Sequence, residues 1–244
     1  MEIICSSPVT AYDSLAHLFQ CSKTVLKKFI YKNWAAKYEK SRLCYEMDMG
    51  EYLYFKAMEQ FTSLQPFTMI HWFHGTRSLH PDSFVNGILP LQDILPELKV
   101  SLDEVAGKYG ILPAREIGEE HRHYGFLMSI KQQNDIDKGP CAMFNLEAVL
   151  NASAYACHNY MDMPEIIEDY AHVKYGDASS KLLEFYRQEA TPTVVEFWTE
   201  SDDPYNPSIK SIVITLLFYL YAVEHPEQDM LGLDCNICFS GHGN

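Results

Sequence analysis

Between Met69 and Pro90 the chain changes character twice within one short stretch, and few folds accommodate that. The run Met69 to Phe73 is apolar and aromatic, as a buried strand requires. In Ile70-His71-Trp72-Phe73-His74-Gly75-Thr76-Arg77 it gives way to a polar His-Gly-Thr, and Phe84-Val85-Asn86-Gly87-Ile88-Leu89-Pro90 then turns the chain again. A glycine between an imidazole and a hydroxyl at a strand end lets a flat ligand lie against the backbone.

Upstream of this stretch the pattern is helical. Ser14 to Phe19 and Val25 to Ile30 are two short amphipathic pieces around a polar corner, and a third helix is expected over about Glu46 to Phe61. Two helices and a corner fit a helix-turn-helix with Lys23, Lys27 and Lys28 on the second helix. They also fit an ordinary helical hairpin, which the missing corner glycine and the burial demanded by Phe29, Ile30, Tyr31 and Trp34 favour. Pro66 resets the pattern. The expected organisation is a helical N-terminal region over 1–62 and an α+β domain over 63–244.

Downstream, Asp82 to Asn86 reads as a short helix stopped by Gly87, and Leu91 to Tyr109 as a helix interrupted near Pro96. Phe126 to Ile130 and Cys141 to Phe144 read as paired strands around a polar loop with Asp135, Asp137 and Gly139-Pro140. Leu146 to His158 and Pro164 to Lys174 read as helices, Thr193 to Trp198 as a strand, and Ile209 to His225 as a buried helix or strand whose length favours helix.

Charge narrows the partners. The net charge is -14, but residues 1–60 hold eight Lys and Arg against seven Asp and Glu, whereas the remainder holds eleven against twenty-six. The acidic bulk repels nucleic acid, which leaves the first sixty residues as the place for a basic patch. The longest apolar run, Ile212 to Val223, is too short to span a bilayer, and Met1 to Val9 lacks the pattern of a signal peptide. Seven cysteines without a framework suit reduced thiols. The expectation is a soluble cytoplasmic protein with no membrane partner.

His74-Gly75-Thr76 followed by Gly87-Ile88 resembles the first signature of the ADP-ribosyltransferase superfamily, in its poly(ADP-ribose) polymerase and diphtheria-toxin-like branch. The resemblance implies a small split β-sheet core with flanking helices. It implies NAD as the substrate, with His74 and Thr76 on ribose and Gly75 holding the nicotinamide amide through its backbone. Arg77, beside the signature, would meet the NAD pyrophosphate or an acidic neighbour, the other reading being an ordinary surface arginine. The family's stacking aromatic has two candidates, Tyr124 first and Phe144 second. Its glutamate, which stabilises the cationic ribose as nicotinamide leaves, would be Glu196, with Glu165 as runner-up. The implied activity is transfer of ADP-ribose to a protein or nucleic-acid acceptor, as in a toxin or defence effector. The other reading is a non-enzymatic regulator with helix-turn-helix-like N-terminal helices and a degenerate ligand-binding domain.

Other clusters are weaker. Cys235 and Cys238 with His242 lack a local fourth zinc ligand, and His121-Arg122-His123 beside Glu119 and Glu120 reads as an exposed polar loop. No metal is expected. There is no Rossmann or P-loop glycine pattern and no Gly-x-Ser-x-Gly elbow.

Overall fold

The computed structural model describes residues 1–133, 141–203, 206–228 and 237–240. It is mixed α and β, with a small sheet among many helices. The strands are β1 (Glu2–Ile3), β2 (Met69–Ser78), β3 (Cys141–Met143), β4 (Thr191–Glu200) and β5 (Cys238–Ser240). They are ordered β1-β2-β3-β5, with β4 also paired to β2. β1 runs parallel to β2 with Ile3 opposite Ile70, and β3 runs antiparallel to it with Met143 opposite Phe73.

The chain forms two compact units that are not contiguous in sequence. One comprises 1–73, 143–158 and 196–239, and the other 74–142, 159–195 and 240–244. The expected division into 1–62 and 63–244 therefore differs from the compact units. The physical reason is the C-terminal helix α10 (Ile209–Glu224), which packs against α1 (Pro8–Leu18), α2 (Lys23–Ile30) and α4 (Met49–Phe61). Ten of its residues are buried, so it has to be surrounded.

That first unit is built on aromatic packing. Phe19 stacks on Phe61 at 4.7 Å, and Phe29 meets Trp34 at 5.0 Å. Buried polar groups are matched. Trp72 Nε1 donates to Thr199 Oγ1 at 2.9 Å, and Thr199 donates to Asn206 at 2.6 Å. Tyr219 donates to Glu147 on α7 (Leu146–Leu150), and Tyr12 to Glu224. A short helix, α3 (Ala35–Glu39), begins where the amide of Ala35 donates to Tyr221.

The second unit is a helical bundle against the polar half of β2. It contains α5 (Leu91–Lys108), α6 (Arg122–Gln133), α8 (Glu165–Tyr175) and α9 (Ser179–Glu189). α8 packs on the other three, around Leu102, Ile167, Ala171, Leu182 and Tyr186. Asp103 on α5 accepts from Lys174 at 2.5 Å and from Tyr175 at 2.6 Å.

Three local expectations are corrected. Residues 126–130 are helical, within α6, and pair with no strand; β3 pairs with β2 instead. Only Met128 of that apolar run is buried, while Phe126, Leu127 and Ile130 are exposed, so the run carries a helical stripe rather than a strand face. Strand β2 does not stop at Phe73 but continues through His-Gly-Thr to Ser78. Pro96 lies inside an unbroken α5, in its second turn, where its missing N–H removes a single intrahelical bond. No helix among the described residues is long and apolar enough to cross a membrane.

Candidate functional site

Phe73 ends the first segment of one unit and His74 opens the other, so the polar half of β2 belongs wholly to the unit of α5, α6, α8 and α9. There it lines a cavity of about 590 Å³. His74 and Thr76 stand two residues apart on the strand and share one face, with Gly75 buried between them. The next wall is the turn after β2. A 3-10 segment, Pro81–Asn86, contributes Phe84 and ends at Gly87, whose φ of 99° is closed to residues with a Cβ. Ile88 and Leu89 then lead into α5, which offers Leu91, Ile94 and Leu98 as an apolar stripe with Glu97 beside it. Tyr160 and the first turn of α8, with Glu165, Ile166 and Ile167, complete the lining together with Lys131 and Cys141.

Several polar groups in this largely apolar space are held in place by the protein. His74 Nδ1 donates to the carbonyl of Cys141 at 2.7 Å, which leaves Nε2 as the ring atom open to a ligand. Burial holds the His74 pKa below the usual histidine value, outweighing the carbonyl bond that favours its charged form. The imidazole is therefore neutral, with Nε2 an acceptor. Lys131 lies 2.8 Å from Asp169, which is buried, and 3.0 Å from Glu165. Burial opposes its charge, but the hydrogen bonds to Asp169 and Glu165 prevail and hold its pKa above the usual lysine value.

Arg77 is spent on the protein. Its Nε donates to the carbonyl of Met161 at 2.9 Å, and Nη1 to those of Arg187 at 2.6 Å and Ala190 at 2.8 Å. Tyr186 donates to the Arg77 carbonyl at 3.0 Å. Arg77 thus lines the cavity chiefly as a clamp joining β2 to the end of α9. Its expected contact with a pyrophosphate has only Nη2 left to make it.

The structure brings His74, Gly75, Thr76, Arg77 and the Gly87-Ile88 element together, and does not bring the other three expected residues to the same cavity. Tyr124 sits on α6 and stacks on His172 at 4.0 Å with planes 8° apart. Phe144 is fully buried against Trp72 in the other unit, with no face left for a ligand. Glu196, also in that unit, accepts from His71 Nδ1 at 2.7 Å, and the other ring nitrogen of His71 meets Glu2 at 3.2 Å. Its alternation with Val195 and Phe197 read correctly as a strand, but the side chain is half exposed and committed to His71.

Sequence reasoning passed over Lys131, Tyr160 and Glu97, and ranked Glu165 second. The signal for Glu165 was present in Pro164-Glu165 opening a helix, since a helix start can face a cavity as readily as solvent.

A second cluster lies in the same unit. His121 Nε2 is 3.1 Å from Asp177 and 3.7 Å from Glu120, and these three groups offer ligand atoms within 4.8 Å of one another. His121 Nδ1 meets His172 Nδ1 at 3.2 Å, and Ser179 meets the same His172 nitrogen at 2.8 Å. Burial, reinforced by His121 and His123, keeps the His172 pKa low. Both carboxylates are largely in solvent. Cys235 and His242 lie outside the described residues, as does the loop with Asp135, Asp137 and Gly139-Pro140.

Comparison with family models, with curated proteins and with solved structures finds no match for this chain.

Proposed function

We propose that this protein binds NAD in the cavity beside His74 and transfers ADP-ribose from it to a macromolecular acceptor. The observation that carries the reading is the convergence of His74-Gly75-Thr76 with Gly87-Ile88 on one cavity of about 590 Å³. That volume lies within the roughly 300–1,000 Å³ usual for small-molecule sites. A neutral His74 Nε2 and the Thr76 hydroxyl meet ribose hydroxyls without adding charge. The apolar stripe of α5 and the rings of Phe84 and Tyr160 suit a flat aromatic ring.

The acid is reassigned within this reading. Glu165 takes the place expected of Glu196, because Glu165 lines the cavity and Glu196 is held by His71. When the bond from ribose C1′ to nicotinamide breaks, its electron pair leaves with nicotinamide and positive charge develops on the sugar. A carboxylate fixed nearby lowers the energy of that state. An acceptor hydroxyl or amine then bonds to C1′ and gives up its proton to solvent. Lys131 serves as a positioning residue that holds the Glu165 carboxylate.

Isothermal titration with NAD, paired with an assay of released nicotinamide, tests this. Thr76→Val and His74→Ala are expected to weaken NAD binding at least tenfold. Glu165→Gln is expected to spare binding and slow nicotinamide release at least a hundredfold. Unaltered NAD binding by both His74→Ala and Thr76→Val sinks the reading.

A further inference from the structure

The lysines of the first unit are distributed as no solvating set would be. Residues 23–42 hold seven Lys and Arg against the single acid Glu39, whereas the rest of the chain holds twelve against thirty-two. All six lysines of this segment, Lys23, Lys27, Lys28, Lys32, Lys37 and Lys40, are exposed. Among the described residues only Lys23 pairs with a carboxylate, that of Asp13. An acidic protein has carboxylates to spare for such a segment, so leaving it unpaired maintains a local positive field.

The backbone beneath gives that field a shape. α1 and α2 are joined by the four residues Phe19 to Ser22, and Gln20 takes a φ of 47° there, the conformation usually left to glycine. The corner glycine missing from the sequence is thus replaced in conformation. α2 buries Leu26, Phe29 and Ile30 against its own unit, with α10 behind it, and turns Lys23, Thr24, Lys27 and Lys28 outward. Lys27 lies over the ring of Tyr12 at 5.3 Å, and Lys37 over Trp34 at 4.5 Å. Ammonium groups already ordered over aromatic faces lose less freedom when they meet a phosphate.

We infer that this face is a docking surface for duplex DNA, with α2 presented to the major groove and Lys32, Lys37 and Lys40 on the flanking phosphates. Two alternatives fit less well. A membrane-surface helix needs a broad apolar face to insert, and α2 buries Leu26, Phe29 and Ile30 in the protein, which leaves Val25 as its one exposed apolar residue. A single-strand platform needs aromatic rings for stacking, and the outward face of α2 carries none.

The test is fluorescence anisotropy of a labelled mixed-sequence duplex with the full chain, repeated from 50 to 200 mM salt. Binding in the micromolar range is expected, with a log–log salt slope of about -3 to -4 for roughly four phosphate contacts. Lys27→Ala with Lys28→Ala is expected to weaken binding at least tenfold and to lower the slope by about 2. Lys28→Ala with Lys40→Ala is a second variant, should the first fail to fold. Lys181→Ala on α9 is the control and is expected to change nothing. Thr76→Val, which removes a cavity hydroxyl, is expected to leave DNA binding intact, so the two proposals fail separately. Binding that is insensitive to salt or to both double variants overturns the inference. So does preference for single-stranded RNA or phosphatidylserine vesicles over the duplex.

Discussion

The ammonium of Lys131 lies 3.0 Å from the Glu165 carboxylate, at the cavity that His74 also lines, and its other partner is the buried Asp169. One lysine therefore serves both a site group and a core group. Lys131→Met would leave Asp169 buried without its counter-charge, at a cost of about 3 kcal/mol. Glu165→Gln neutralises the more exposed partner of Lys131 and is expected to cost less than about 1 kcal/mol. Urea unfolding of the two variants should separate them. Equal losses would show that Asp169 finds another partner.

Arg77→Lys is expected to destabilise by roughly 2–4 kcal/mol, since a single ammonium cannot reproduce a fork that reaches three carbonyls. NAD affinity at 25 °C, where the variant is still folded, is expected to fall less than threefold. A large affinity loss with unchanged unfolding would return Arg77 to the pyrophosphate role.

Gly87→Ala isolates a backbone effect. A Cβ at this position meets nothing within 4 Å, yet φ is 99°. The expected loss is about 1–3 kcal/mol, due to strain alone. Thermal unfolding that matches the wild type would mean that the turn relaxes at no cost.

Acid sensitivity should have two components. His74 has a lowered folded pKa, so its contribution is complete above the usual unfolded value of about 6.5 and is lost as pH falls through the folded value. NAD binding that needs Nε2 as an acceptor should be flat above about pH 6.5 and weaken only below it. Burial of Asp103 raises its pKa, but hydrogen bonds from Lys174, Tyr175 and Tyr170 prevail and hold it below the usual carboxylate value. Its share of stability is present above about pH 4 and disappears on further acidification. Asp103→Asn should remove that lower component from a pH series of unfolding midpoints and leave the upper one.

Thr199→Val tests the first unit. It leaves the buried indole N–H of Trp72 without its acceptor and is expected to cost about 1–3 kcal/mol. A neutral result would require the Trp72 ring to find another acceptor.

Elements with a strong local signal were legible from sequence. α10 reads as a helix from its length, α8 from Pro164 and its acidic first turn, and β4 from its β-branched run. The error at 126–130 arose because a short apolar run carries no decisive period, and whether it becomes strand or helix rests on α8, which the local residues do not encode. The same limit governs the site. His74, Gly75 and Thr76 are adjacent in sequence and so had to arrive together. Phe144 was chosen by the order of elements and Glu196 as a charged residue within an apolar strand, and neither signal reveals that the residue belongs to a different compact unit from the cavity. Arg77 was legible as a cation but not as a clamp, because its partners are main-chain carbonyls that no side-chain pattern announces.

The central place of α10 carries a consequence for biosynthesis. The faces of α1, α2 and α4 that bury Leu15, Leu26, Phe29 and Leu53 close against a helix that begins only at Ile209. At about 5–20 residues per second, roughly 7–30 s separate synthesis of the N-terminal helices from that of their partner. For that interval these faces have only their N-terminal neighbours to pack on, so the part of each that α10 covers is exposed to aggregation before any ligand can matter.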